Sequence, residues 1–145
     1  MSELVYGVNT ALKNMIDWDT LNDGTVPDFL PITGYENTTA PFVLYSIVPR
    51  VVSNEKYFQA KDGFRYYVYD TNIDRMWAIS RAIRDALNVT SDEGLETLKA
   101  ALPGDCEFRI LWSVLRHSIS FGPAEREGFA NTANEFEIAY VRDDA

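Results

Sequence analysis

Apolar side chains recur along this chain with two periods, every three or four residues in some segments and every second residue in others. Spacings of three and four predict an amphipathic helix from Glu3 to Ile16. The same spacing predicts a central helix from Asn72 to Asn88 and a shorter helix from about Asp92 to Ala101.

The central helix has the clearest pattern. Thr71 is expected to cap its N-terminus, because a threonine hydroxyl can accept a hydrogen bond from the first turn. Its apolar positions predict an inner face made of Ile73, Met76, Trp77, Ser80, Ile83, Ala86 and Leu87. Arg75, Arg81 and Arg84 fall on or near the outer face, which we interpret as solvated, with contact to an acidic partner as the alternative.

Four segments are predicted to be strands, namely Phe42 to Val48, Phe64 to Tyr69, Glu107 to His117 and Glu135 to Arg142. Together with the helices they predict an α+β fold in one domain spanning residues 1–145. We expect an antiparallel sheet of about four strands, with the N-terminal helix and the central helix packed on one face.

The connections are predicted from Gly, Pro, Asn and Asp. Residues 25–41 are interpreted as a loop and residues 50–63 as a connection that contains a turn at Asp62-Gly63. Residues 119–134 are interpreted as a long polar hairpin loop. In the third strand, alternation places Phe108, Ile110, Trp112 and Val114 on one face.

Charge and composition narrow the functional classes. The 145 residues include 22 acidic and 13 basic side chains, a net charge of −9, which argues against a protein that binds nucleic acid by neutralising phosphates. No segment has the ~20 apolar residues of a membrane span, and no secretory signal is apparent. Cys106 is the only cysteine, so no internal disulfide is expected and a reducing compartment fits best.

No catalytic, cofactor-binding or metal-binding group is predicted. Cys106 and His117 lie at opposite ends of one predicted strand, about 36 Å apart at ~3.3 Å per residue, so they cannot form a nucleophile–base pair. The acidic segment that starts at Asp17 fails as a calcium loop, because Leu21 stands where an oxygen ligand is required. The tyrosine-rich segment 63–69 departs from the aromatic strand of RNA-recognition domains, because Asp62 rather than Lys or Arg precedes its glycine and Arg65 replaces a small residue.

The order of elements resembles the tail terminator, or tail completion, proteins of tailed bacteriophages. The resemblance is carried by the first helix, the strand from Pro41 to Ile47, the segment Tyr66-Tyr67-Val68-Tyr69-Asp70, the helix from Ile73 to Leu87 and the last strand from Glu135 to Val141. It spans residues 4–142, and residues 89–103 match least well.

This resemblance implies a structural virion protein without catalytic residues. Six copies are expected to form a ring on the head-proximal end of the tail tube, to stop its polymerisation and to present the joining surface to the head or neck. The expected partners are further copies of the chain, the tail tube protein and a neck or connector protein, with DNA passing through the lumen without specific binding. The ring is expected to assemble in the host cytoplasm, without a membrane.

Five residues are predicted to contact other subunits or partners, namely Tyr57, Phe58, Phe121, Arg126 and Phe129. Two alternatives stay open at this point. One is another connector of the same particle, such as a neck protein. The other is an unrelated cytosolic α+β domain, either a binding module or an enzyme whose site the sequence does not reveal.

Overall fold

The computed structural model describes residues 2–33, 39–49, 59–126 and 129–142. Within these residues the helices are α1 (Ser2–Met15), α2 (Trp18–Asn22), α3 (Ile73–Leu87) and α4 (Asp92–Ala101). The strands are β1 (Asp28–Pro31), β2 (Phe42–Pro49), β3 (Gln59–Asp70), β4 (Phe108–Arg126) and β5 (Phe129–Arg142). The three longer helices confirm the helix predictions to within a residue at each end.

The strands form one mixed sheet in the order β1-β2-β3-β5-β4. This corrects the prediction of about four antiparallel strands, because β1 is a fifth strand and pairs with β2 in parallel. β1 was missed because it is only four residues long and ends in proline, so the sequence of residues 25–41 has no alternation to detect. The α+β class itself is confirmed.

The main core lies between the helices and one face of the sheet. Alternate residues of β3 (Phe64, Tyr66 and Val68) are fully buried in the same cluster as the apolar stripes of α1 and α3. The Tyr66 ring packs edge-on against Phe29 and Phe136, with ring centroids 6.3 and 6.4 Å apart. Both long helices therefore pack on the same face of the sheet, as predicted.

The start of α3 is held by its cap and by a buried carboxylate. The N-cap is Asn72, not Thr71, and its side-chain oxygen accepts a hydrogen bond from the Arg75 amide at 3.1 Å. Asp70, at the end of β3, is fully buried and receives two hydrogen bonds from the Arg75 guanidinium, at 2.6 and 2.7 Å. This ion pair fixes the direction in which α3 leaves the sheet.

Two bulges in β4 change which of its residues face the helices. The pairing with β5 shifts between Ile110 and Trp112 and again between Leu115 and His117. Each shift adds one residue to β4 and moves the following side chains to the opposite face. The prediction that Ile110 and Trp112 share a face is therefore wrong; Ser113, which is fully buried, takes the inward position.

The predicted hairpin loop at residues 119–134 is also wrong, since most of it is paired strand. β4 continues to Arg126 and β5 begins at Phe129. Of the two asparagines that suggested a loop, Asn134 has partners in the core, whereas the buried Asn131 side chain has no hydrogen-bond partner among the described residues. Asn134 donates to the Ser80 hydroxyl at 2.8 Å and accepts from the Ser118 hydroxyl at 2.8 Å.

Asp62 and Gly63 lie inside β3 and do not form the predicted turn. Gly63 pairs with Val48 on one side and with Glu137 on the other. The buried Asp62 carboxylate accepts a hydrogen bond from the Tyr140 hydroxyl at 2.5 Å. Strand pairing on both sides and this buried partner override the local turn preference of Asp-Gly.

The outer edge of β4 is covered by the residues that follow α3. The Leu115 amide donates to the Asn88 side chain at 3.1 Å, and the Val89 amide donates to the Ser113 carbonyl at 2.9 Å. The Ser113 hydroxyl in turn donates to the carbonyl of Leu87 at 2.6 Å. These contacts satisfy backbone groups that an edge strand otherwise leaves open to another chain.

Candidate functional site

A groove of about 460 Å³ lies between α1 and the β1–β2 edge of the sheet. Its lining is mainly apolar and includes Val5, Phe29 and Ile47, and Tyr6 stands exposed at its rim. The Lys13 ammonium lies 5.6 Å from the centroid of the Phe29 ring, a cation–π contact. Among its described lining residues there is no carboxylate, cysteine or histidine, and the titratable side chains present are Tyr6, Lys13 and Tyr45.

Tyr66 lies beneath this groove as part of the core. Its hydroxyl donates to the Asn9 side chain at 2.8 Å, and both residues are buried. Burial raises the pKa of Tyr66 far above its ordinary value, with a smaller contribution from Tyr45. The phenol therefore stays protonated at physiological pH, and its role is to satisfy Asn9 in the core.

The second buried tyrosine is paired with a carboxylate. Burial raises the pKa of Tyr140, and the hydrogen bond that it donates to Asp62 raises it further. The Phe108 ring packs edge-on against Tyr140, with centroids 5.4 Å apart. The hydrogen bond between Tyr140 and Asp62 links β5 to β3.

Ion pairs cross between strands on the face of the sheet away from the helices. Arg65 on β3 contacts Glu135 on β5 at 2.7 Å, and Arg116 on β4 contacts Glu137 at 2.5 Å. The pKa of Arg65 is raised, first by its hydrogen bond to the Tyr67 hydroxyl and then by Glu135. These pairs stabilise the strand register, because opposite charges lie next to each other on neighbouring strands.

Metal and thiol chemistry has no support in the described residues, where no three His, Cys, Asp or Glu side chains come together as a metal site. Cys106 is half-buried and its thiol contacts the Phe108 carbonyl at 3.5 Å. Asp17 caps α2 by accepting from the Thr20 hydroxyl and amide, which lower the pKa of the Asp17 carboxyl in that order. This carboxylate has the role of a helix cap.

No helix among the described residues combines the length and apolar character that crossing a membrane requires.

The five predicted contact residues fall in different parts of the chain. Tyr57 and Phe58 lie outside the described residues. Phe121 and Arg126 lie in the last part of β4, where their backbones pair with Asn131 and Phe129. Phe129 is half-buried and packs edge-on against the Phe42 ring, with centroids 5.7 Å apart. Their role in contacts between subunits stays a prediction.

One exposed surface was missed by the sequence pattern. Ile73 and Trp77, predicted to lie on the inner face of α3, are 53% and 42% exposed. The buried stripe of α3 consists of Met76, Ile79, Ser80, Ile83 and Leu87. At ~100° per residue, Ile73 and Trp77 lie about 60° and 100° around the helix from Met76, the first residue of that stripe. The spacing of apolar residues alone does not reveal this offset, because packing against the sheet decides which part of a wide apolar stripe is buried.

A small polar cavity of about 150 Å³ adjoins Trp77, between α3 and the β4–β5 pair. Arg81 and Arg84 form its outer wall, and the buried side chain of Asn134 lies on its sheet side. No ion pair of either arginine is present within the described residues. The surface made of Ile73, Trp77, Arg81 and Arg84 is called the α3 stripe below.

Comparison with known proteins gives one informative result. No protein-family model matches the sequence, and no curated protein matches it significantly. Among solved structures, the fold is similar to a chain in the virion of a native gene transfer agent particle, with a TM-score of 0.66. That match covers 94% of this chain and 93% of the other, at 14% sequence identity. It shows that the two chains share a fold.

Proposed function

We propose that this chain is a structural protein of a phage-like virion, and that it forms the ring that ends the tail tube on the side facing the head. In this proposal the ring has six copies, stops tube polymerisation and offers a joining surface to a neck or connector protein. The chain has no enzymatic role and needs no cofactor.

The observation that carries the proposal is the shared fold with a chain of a gene transfer agent virion. The match extends over nearly the full length of both chains, so it includes the sheet and the helices together. The position in the particle rests instead on the resemblance of the element order to tail terminator proteins.

The chemistry of the described residues is compatible with a role in assembly. The two tyrosines with strongly raised pKa values are buried and hydrogen-bonded within the core. The groove between α1 and the β1–β2 edge is mainly apolar, and its described lining residues include no carboxylate, cysteine or histidine. An enzyme needs a nucleophile, base or metal within reach of a substrate.

The proposal is tested by immuno-electron microscopy of particles, with antibody against this chain applied to intact virions and to tails detached from heads. Label at the head-proximal end of detached tails is the expected result. Antibody first absorbed with the purified chain is the control and should leave the same particles unlabelled.

The same experiment separates the alternatives. Label that stays with the heads assigns the chain to the neck and contradicts the terminator role. The chain would still be a structural protein of the particle. Absence of label from every particle contradicts both roles, and leaves a binding module or an enzyme.

A further inference from the structure

We propose that the α3 stripe is a contact between copies of this chain, in which Trp77 is the apolar anchor and Arg81 and Arg84 bind carboxylates of the neighbouring copy. This inference rests on the proposed ring-forming role and names the surface that assembles the ring.

The four residues lie on one side of α3. At ~100° per residue they fall within an arc of about 80°, so they form a continuous stripe along three turns of the helix. The stripe begins with two exposed apolar side chains, Ile73 and Trp77, and ends with Arg81 and Arg84. Tryptophan and arginine are enriched among the residues that dominate binding at protein interfaces.

The arginines lack carboxylate partners within the described part of their own chain. Asp85 is one helical turn from Arg81, yet no ion pair is formed. By contrast, Arg65, Arg75 and Arg116 each contact a carboxylate at 2.7 Å or less. The guanidiniums of Arg81 and Arg84 can therefore bind an anion from outside their own chain.

The cavity beside the arginines is built on a rigid base. Asn134 and Ser80 are buried and hydrogen-bonded to each other at 2.8 Å, and the Ser118 hydroxyl donates to Asn134 at 2.8 Å. Because these groups are already paired, the cavity wall is preorganised, and the guanidiniums of Arg81 and Arg84 have no hydrogen-bond partner among the described residues. Guanidiniums bind carboxylates in a bidentate geometry, so the site favours an acidic side chain.

A second copy of the chain supplies that chemistry. The net charge of −9 means that acidic groups exceed basic groups over the molecule. Exposed carboxylates without an ion pair in the described residues include Asp19, Asp28, Asp92 and Glu93. An arginine pair beside an exposed tryptophan is thus complementary to the acidic surface of a neighbour, and a contact between two different patches is the type that closes into rings.

The test is the oligomeric state of the purified chain, measured by light scattering after size exclusion over a range of concentrations. Trp77→Ala should raise the concentration needed for half-assembly by about 30-fold or more, the effect of losing an interface hot spot. The double variant Arg81→Glu/Arg84→Glu should remain monomeric, because reversed charges repel the acidic neighbour.

Matched controls make the same changes elsewhere on the surface. Val26→Ala shortens another exposed apolar side chain, away from the groove and from the α3 stripe, and Lys99→Glu/Arg109→Glu introduces the same change in net charge. Both controls should assemble as the wild type does. Thermal unfolding of each variant confirms that its fold is intact.

Three outcomes overturn the inference. The first is that the wild type stays monomeric at every concentration, and the second is that the α3-stripe variants assemble as well as the wild type. The third is that the wild type binds duplex DNA and the double variant Arg81→Glu/Arg84→Glu does not. In each case, label at the head-proximal end of tails still supports the proposed function. If the variants show that the α3 stripe mediates assembly but no particle is labelled by the antibody, the proposed function is contradicted and the proposed contact is still supported.

Discussion

At the scale of single residues, the buried ion pair between Asp70 and Arg75 is a polar contact that the sequence did not predict. Arg75 was interpreted as a solvated outer residue of the helix. The structure instead joins it to a carboxylate with no exposed surface, because Asp70 lies at the point where β3 ends and α3 is about to begin. Spacing along a helix cannot reveal such a partner on the preceding strand.

Replacing Arg75 with alanine is predicted to lower the free energy of unfolding by about 3 kcal/mol, since it leaves the buried Asp70 carboxylate without its charged partner and with the hydrogen bond from the Asn72 amide. The measurement is urea denaturation followed by circular dichroism. Lys99→Ala is the control, because Lys99 pairs with the largely exposed Glu96 at 3.2 Å and such pairs contribute under ~1 kcal/mol. Equal losses in the two variants would contradict the structural role of Arg75.

At the scale of elements, periodicity predicted the helices well and the strands in part. The three longer helices were found because three or more turns give a readable apolar stripe. β1 was missed because four residues are too few to show a periodic pattern. The bulges of β4 move the following side chains to the opposite face of the sheet, and the alternation of apolar residues does not show where they occur. Asn134 of β5 looked like a loop residue because its partners come from α3 and β4.

The cover over the β4 edge gives a prediction at this scale. Asn88→Ala removes the acceptor of the Leu115 amide, so the free energy of unfolding should fall by about 1 kcal/mol. The exchange of the Leu115 amide hydrogen with solvent should become faster. Native-state hydrogen exchange followed by NMR measures this change.

Thr90→Ala is the matched control for this prediction, since Thr90 is exposed two residues further along the chain. It should leave exchange at Leu115 unchanged. If the Asn88 variant protects this amide as well as the wild type does, the edge is covered by something other than the asparagine side chain.

At the scale of the whole molecule, the sequence predicted the α+β class but not the exposed surface of α3. The α3 stripe was hidden because apolar residues at Ile73 and Trp77 look like core positions when the helix is read alone. Only packing against the sheet decides which side of a wide apolar stripe is buried. The predicted contacts at Tyr57 and Phe58 remain predictions about residues outside the described structure.

Net charge gives the last prediction, because it belongs to the assembly as a whole. Six copies at −9 each carry a formal charge of −54, so the ring should repel DNA that passes through it. The assembled protein is not expected to bind a duplex DNA fragment even at about 50 mM salt, a low concentration at which counterion release favours binding most strongly. Fluorescence anisotropy of a labelled duplex, titrated with the assembled protein, measures this.

Retention at about 50 mM salt that disappears by about 200 mM would contradict the prediction and reveal a surface that neutralises phosphates. The double variant Arg81→Glu/Arg84→Glu then identifies that surface, since those arginines have no carboxylate partner in the described residues. If retention survives in the variant, the phosphate contacts lie elsewhere. If the ring does not bind DNA, Arg81 and Arg84 are available to bind carboxylates on the acidic surface of the next copy.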